Sequence, residues 1–169
     1  MFAKCAYIQE AFTQQMNENI FQKEYLCIVE GILDKKSGII DFPIARKPGS
    51  IIERCVDFNG QSSRTIYTVI EEFHYNSPKC KSLNSMQTFS LIKCKLETGR
   101  THQIRVHFCY IGHPLLGDTL YGTPSSLISR QALHSYKISF IHPVTKNEQC
   151  FTCPLPNDMQ NVLVQKNAQ

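Results

Sequence analysis

The amino-acid sequence predicts one mixed α+β domain, built on a largely antiparallel sheet with a few helices. Two observations lead to this prediction. Several segments alternate apolar and polar residues as strands do, and two segments repeat apolar residues at helical spacing. The chain has 169 residues, of which 42% are hydrophobic and 19% charged, which suits a single packed core. We assign residues 1–160 to the domain and residues 161–169 to a C-terminal tail.

Six segments are predicted to be strands, because each has either apolar–polar alternation or an apolar run between turn residues. They are residues 23–31, 39–42, 64–73, 88–98, 132–141 and 149–153. The continuous apolar centre of the first predicts burial on both of its faces. Residues 45–50 are predicted to be a basic loop, and the polar, proline-bearing stretch 74–85 the tip of a hairpin.

Two segments are predicted to be helices, the first over residues 6–19 and the second starting after Thr101 and ending near Gly112. Thr101 follows a glycine and is the candidate N-cap of the second helix. The apolar faces of the two helices consist of Ile8, Phe12 and Met16, and of Ile104, Phe108 and Ile111.

The net charge of +4 is unevenly distributed along the chain. Residues 1–90 carry ten basic and ten acidic side chains, whereas residues 91–169 carry eight basic and four acidic ones and five of the six histidines. This excess favours an anionic partner. No apolar run reaches the roughly 20 residues that span a bilayer, and the first residues do not resemble a secretory signal. We therefore expect a cytoplasmic protein that does not bind membranes.

The eight cysteines are scattered, mostly inside apolar runs, which predicts buried, reduced thiols rather than a disulfide framework. Cys150 and Cys153 form a single CxxC pair without a second pair of ligands, so we interpret them as structural. His102, His107 and His113 are five and six residues apart and do not share a helical face. We expect neither a metal site nor a nucleotide cofactor.

Residues 96–107, LETGRTHQIRVH, hold the densest group of polar side chains. They run from a predicted strand through a glycine turn into a helix, whose first N–H groups favour an anion. A solvated, basic helix start explains the same pattern equally well.

Arg105 lies at the margin of the apolar face of the second helix, beside Ile104. A guanidinium in that position is costly unless a carboxylate or phosphate pairs with it. The sequence therefore predicts an acidic partner, or else a stem that packs while the head reaches water. Tyr25, on the first strand, suits either core packing or a flat contact for a nucleobase with a phenol for proton transfer.

The motifs that follow Thr98 closely resemble those of the RluA-type pseudouridine synthases. These are TGRTHQIRVH at 98–107, IGHPLLGD at 111–118 and LYG at 120–122. The resemblance continues over nearly the whole chain, in KEYL at 23–26, VEG at 29–31, RQALH at 130–134, FIHP at 140–143 and PLP at 154–156.

This resemblance implies the catalytic-domain fold of that family and an isomerase that converts uridine to pseudouridine in structured ribosomal or transfer RNA, without metal or cofactor and without DNA as substrate. It implies that Tyr25 stacks on the flipped-out base and takes part in proton transfer. It implies that Arg105 holds the catalytic aspartate. Arg100 and His102 would flank the pocket and contact phosphates.

The family's His-Arg-Leu-Asp motif, which carries the nucleophilic aspartate, does not occur in these 169 residues. Phe2-Ala3-Lys4 matches the end of the strand that follows the motif in the family. We therefore expect that residues 1–160 form the C-terminal part of a catalytic domain, and that this chain alone is inactive. We also expect Arg105 to lack a carboxylate partner within the chain.

Two other interpretations stay open from the sequence. The chain could be a non-catalytic RNA-binding remnant, or an interaction module whose open sheet edge pairs with a partner strand.

Overall fold

The computed structural model describes residues 3–76 and 86–165. Within these residues, three helices and eight strands follow one another: α1 (Ala6–Asn17), β1 (Gln22–Glu30), β2 (Ser37–Asp41), β3 (Ile44–Arg46), β4 (Arg54–Val56), β5 (Arg64–Asn76), β6 (Met86–Leu96), α2 (Gln103–Tyr110), β7 (Leu133–Ile141), β8 (Glu148–Thr152) and α3 (Asn157–Gln165).

Six strands form one sheet in the order β2-β5-β6-β1-β7-β8, and β3 pairs with β4 in a separate ribbon. Every pairing between these strands is antiparallel. The α+β class and the antiparallel sheet predicted from the sequence are therefore confirmed. Strands β5 and β6 pair as the predicted hairpin; residues 74–76 of its predicted tip belong to β5, and the remaining residues 77–85 lie outside the described residues.

The central strand β1 has helices on both sides, which explains its continuous apolar centre. Cys27, Ile28 and Val29 are all fully buried. Because neighbouring side chains alternate between the two faces of a strand, they enter two different cores. One core contains Cys27, Val29, Ile92 and Cys94 with Ile104 and Phe108 of α2. The other contains Ile28, Phe89 and Leu91 with Met159 and Val162 of α3.

Helix α1 covers one end of the sheet through aromatic contacts. Phe12 packs edge-on against Phe21 and Phe140, with ring centroids 5.7 and 5.1 Å apart. The helix ends at Asn17, and Asn19 turns the chain with a φ of 56°.

The prediction that Thr101 caps the second helix is wrong. Helix α2 begins at Gln103, and its N-cap is His102, which has a left-handed φ of 58° and makes no capping side-chain bond. The Gln103 side chain binds the backbone of the preceding loop by accepting from the Arg100 N–H at 2.9 Å. This contact between residues three apart holds the turn that a threonine cap was expected to hold.

Three short elements have no counterpart among the predicted ones: β3, β4 and α3. The first residues of the predicted basic loop 45–50 belong to β3. Helix α3 runs across residue 160, and Val162 is only 2% exposed, so the packed structure continues into the range expected to be a tail.

The cysteines of the described residues are free thiols, but their burial was predicted correctly in only some cases. Cys27 and Cys94 are buried, whereas Cys5, Cys150 and Cys153 are exposed. Cys150 lies in β8, which is an edge strand of the sheet, and Cys153 follows directly after that strand. Within the described residues, no helix is long and apolar enough to cross a membrane.

The burial of α3 predicts a large effect of truncating its inward-facing side chain. Replacing the fully buried Met159 by alanine should lower the free energy of unfolding by about 2 to 5 kcal/mol, because it leaves a cavity against the sheet. Val164→Ala, in the same helix and 68% exposed, should change it by no more than about 0.5 kcal/mol. Urea denaturation followed by circular dichroism measures both, and equal effects would contradict the packing of α3.

Candidate functional site

Gln103 fixes the loop that precedes α2, because all four of its side-chain hydrogen-bonding positions are used. It is 1% exposed. Its Oε1 accepts from the Thr98 hydroxyl and the Arg100 N–H, and its Nε2 donates to the Arg64 carbonyl and the Thr65 hydroxyl. A buried amide with every bond made ties the loop to β5 in a single orientation.

His107 makes a second buried link between α2 and the sheet. Its Nε2 lies 3.0 Å from the Phe42 carbonyl, and its Nδ1 lies 2.9 Å from the Thr65 hydroxyl. Because a carbonyl only accepts, Nε2 carries the proton and Nδ1 accepts from threonine. Burial lowers the pKa of His107, so the neutral ring is the favoured form.

Arg105 has a carboxylate partner within this chain, so the expectation that it lacks one is wrong. Its Nε donates to Oδ2 of Asp118 at 2.6 Å, and its Nη2 donates to Oδ1 at 2.7 Å. The Asp118 side chain is fully buried and that of Arg105 is 13% exposed. The two N–H···O bonds are parallel, which is the strongest geometry for this kind of pair.

The chain reversal after α2 brings Asp118 back to the helix. Gly112 and Gly117 have φ values of 84° and 72°, a left-handed conformation that disfavours side chains. Between these two glycines, the Pro114 carbonyl accepts a hydrogen bond from the N–H of Glu30, and the Leu116 N–H donates one to the Ile28 carbonyl. The loop is therefore docked on β1, and this docking returns residue 118 to the base of α2.

Asp118 is held in its charged form although it is buried. Burial by itself would raise the pKa of its carboxyl group. Hydrogen bonds from Arg105 and from the N–H groups of Leu120 and Tyr121 outweigh that effect and hold the pKa below its usual value.

Tyr121 extends the ion pair into a larger cluster. The Arg105 guanidinium lies 4.8 Å from the centroid of the Tyr121 ring. The Tyr121 hydroxyl accepts from the Arg54 N–H at 2.8 Å and lies 2.9 Å from Nδ1 of His102. Burial, followed by the charges of Arg105 and Arg54, lowers the pKa of His102.

The structure brings together only some of the residues that the sequence singled out. His102 and Arg105 meet through Tyr121. Arg100 lies apart from them, exposed, with its Nε donating to the Ser62 carbonyl at 3.1 Å. Tyr25 is partly buried and packs against the core that contains Ile104, the residue next to Arg105. Burial raises the pKa of Tyr25, so its phenol is protonated at neutral pH.

Sequence reasoning missed three residues of this site: Gln103, Asp118 and Tyr121. The signal for the last two was present in the motif GDTLYG at 117–122, where a glycine in a turn precedes an acid and an aromatic residue. Among residues 3–76 and 86–165, no group of three or more His, Cys, Asp or Glu side chains is arranged to hold a metal ion.

Residues 1–110 match the sequence model of a family described as RNA pseudouridylate synthase. The Bacillus subtilis (strain 168) protein named uncharacterized RNA pseudouridine synthase YjbO is 40% identical over 167 residues, which cover 99% of this chain and 54% of that protein. Ribosomal large subunit pseudouridine synthase D of Nitrosomonas europaea is 37% identical over 170 residues, covering 95% of this chain and 45% of that protein. The chain thus spans about half the length of these curated relatives.

The fold is also found in a solved structure. Human RNA pseudouridylate synthase domain containing 1 has a TM-score of 0.72 and 24% sequence identity, over 93% of this chain and 64% of that one. This likeness supports the fold assignment.

Breaking the buried ion pair should cost far more stability than breaking an exposed pair of the same geometry. Asp118→Asn leaves the Arg105 guanidinium without its counter-charge, and should lower the free energy of unfolding by about 3 to 5 kcal/mol. The control is Asp158→Asn, which removes the carboxylate of the bidentate pair with Arg130, whose side chains are 40% and 37% exposed. It should cost about 1 kcal/mol or less in urea denaturation. Similar losses in both variants would contradict this.

The lowered pKa of His107 predicts a loss of stability in mild acid. The folded state holds the histidine pKa below its unfolded value of about 6.5, so the folded protein resists protonation. The contribution of neutral His107 to the free energy of unfolding is complete above about pH 6.5 and is lost as the pH falls through the folded pKa. The free energy of unfolding, measured in urea, should fall as the pH drops below about 6.5. His107→Gln should reduce this dependence, and an unchanged dependence would show that other groups cause it.

Proposed function

The chain belongs to the RNA pseudouridylate synthase family, and we propose that it forms the part of such an enzyme that receives the target uridine and positions the catalytic carboxylate. The reaction is the isomerisation of uridine to pseudouridine in ribosomal or transfer RNA. The names of the relatives, one of them a ribosomal large subunit pseudouridine synthase, support this class of substrate.

The free edge of the Arg105 guanidinium is the observation that carries this proposal. Asp118 takes Nε and Nη2, whereas Nη1 makes no hydrogen bond with the described residues. Since the arginine is already held at two points and by the Tyr121 ring, Nη1 can donate an N–H to a further carboxylate without reorganising. We propose that this second carboxylate is the nucleophilic aspartate.

The aspartate would come from residues outside this sequence. The 169 residues contain no His-Arg-Leu-Asp motif, and the relatives are about twice as long as the part that matches. Asp118 cannot take the role itself, because its side chain is fully buried and both of its oxygens accept hydrogen bonds from arginine.

Tyr25 is proposed to contact the flipped-out base. The reaction breaks the bond from the ribose to N1 of uracil and forms a bond to C5, so C5 loses a proton and N1 gains one. A protonated phenol beside the base can stack on it and take part in this transfer. His102 and Arg100 would bind different phosphates, since His102 contacts the Tyr121 hydroxyl whereas Arg100 contacts the Ser62 carbonyl.

The proposal predicts that pseudouridine formation requires an upstream segment with the His-Arg-Leu-Asp motif and the hydroxyl group of Tyr25. The 169-residue chain should form no pseudouridine in ribosomal or transfer RNA transcripts. The same chain extended upstream along its reading frame to include a His-Arg-Leu-Asp motif should form it, because the nucleophile is then present. In the extended protein, Tyr25→Phe should lower kcat by about 10²- to 10⁴-fold by removing the proton-transferring group.

Tyr7→Phe is the matched control, since Tyr7 is 64% exposed. Mass spectrometry of digested RNA measures the product. An extended protein that binds RNA but converts no uridine would favour the interpretation as an RNA-binding remnant. Product from the 169-residue chain alone would show that another residue is the nucleophile.

A further inference from the structure

A second polar concavity lies apart from the Arg105 cluster. It is a cavity of about 500 Å³ between the C-terminal end of α1, the start of β1 and the loop 96–100. Its size lies within the range of small-ligand sites, and it is large enough for part of a nucleotide. Neither Arg105 nor His102 lines it.

The cavity carries an excess of positive charge. Its charged lining residues are three cations, Lys23, Arg64 and Arg100, and one carboxylate, that of Glu97. Glu97 is already paired with Arg64 through an N–H···O contact of 3.1 Å. The Nε of Arg64 is buried and makes no hydrogen bond with the described residues, but it lies 3.6 Å from Oδ2 of Asp41 in a second ion pair. Arg64 is therefore neutralised by two carboxylates, and the lining cations without a carboxylate partner among the described residues are Lys23 and Arg100.

Lys23 is the lining cation whose position most favours an anionic ligand in this cavity. It makes no ion pair or hydrogen bond with the described residues, and burial alone lowers its pKa. It precedes Tyr25 by two positions on β1, and alternate residues of a strand share a face, so both side chains lie on the same face of the sheet, although the pairing of β1 with β7 has a bulge between Glu24 and Tyr25. The Cα atoms of the two residues are therefore about 7 Å apart along the strand.

Gly99 keeps the space beside the Lys23 ammonium open. A Cβ atom on Gly99 would lie 3.0 Å from Nζ of Lys23. The neighbouring Arg100 is exposed and lines the same cavity, and among the described residues its guanidinium makes one hydrogen bond, from Nε to the Ser62 carbonyl. The exposed guanidinium of Arg100 and the partly buried ammonium of Lys23 therefore line the same cavity, and Gly99 lies between them without a side chain to fill it.

We propose that this cavity binds a backbone phosphate of the RNA substrate, next to the target nucleotide, with Lys23 and Arg100 as its principal contacts. The inference rests on the proposed function, because it takes the anion to be an RNA phosphate. A phosphate bound there neutralises Lys23 and accepts hydrogen bonds from both cations, which orients the strand relative to Tyr25.

Fluorescence anisotropy with a labelled oligouridylate of about 12 nucleotides tests the site on the 169-residue chain. At low salt, Lys23→Gln and Arg100→Gln should each weaken binding by about 5- to 10-fold. Each should also lower the slope of log K against log salt by about 0.7, the value for one single-strand phosphate contact. Lys93→Gln is the matched control, because Lys93 is exposed and alternates onto the opposite face of β6. It should leave the affinity within a factor of about 2 and the salt slope unchanged.

Side-chain NMR of Lys23 in the unsubstituted protein gives a second readout, which does not depend on whether a variant folds. Uridine 5′-monophosphate should raise the lysine pKa toward its usual value, and uridine should not, because only the former carries the anion.

Equal effects of Lys23→Gln and Lys93→Gln, or a Lys23 pKa that ignores the monophosphate, would overturn the phosphate site and leave the proposed function standing. A Lys23-specific loss of binding in a protein whose extended form converts no uridine would support the site and overturn the proposed reaction.

Discussion

The bidentate ion pair between Arg105 and Asp118 joins helix α2 to the loop that returns to β1, and the geometry of the candidate site depends on it. An arginine at the margin of a core is costly unless its charge is neutralised, so the loop must place a carboxylate there. The two left-handed glycines, Gly112 and Gly117, allow the short reversal that does so. Once Asp118 is seated, its own backbone neighbours Leu120 and Tyr121 bond to it, and the tyrosine ring comes to lie against the guanidinium.

This arrangement changes what the excess of basic residues in the second half of the chain means. Arg105 is neutralised within the fold, and so is Arg130, which pairs with Asp158. The cations without a carboxylate partner among the described residues include Arg100 and Lys23, and these two share a cavity although they lie in different halves of the sequence. The charge available to an anionic ligand is therefore assembled by the sheet, which brings the start of β1 beside the end of β6.

The sequence predicted the sheet well, because its strands alternate or carry apolar runs long enough to recognise, as in β1 and β5. It failed where a local rule competed with tertiary contacts. Thr101 satisfies the usual pattern of an N-cap, yet Gln103 binds the loop from inside the helix and His102 takes the left-handed turn. Helix α3 was missed because it is short and polar over most of its surface, and its two core residues, Met159 and Val162, are defined by the sheet that they cover.

The sequence by itself determined the family, the α+β class and the identity of Tyr25, Arg100, His102 and Arg105 as candidates, since motifs and periodicity are properties of neighbouring residues. Only the tertiary structure decided the partners. The sequence showed that Arg105 needs a carboxylate. Asp118 supplies it although it lies thirteen residues further along the chain, because the loop between them is docked on β1. In the same way, Lys23 and Arg100 share a cavity because antiparallel pairing of β1 and β6 places them together. Charges act through space, and the sequence records distance only along the chain.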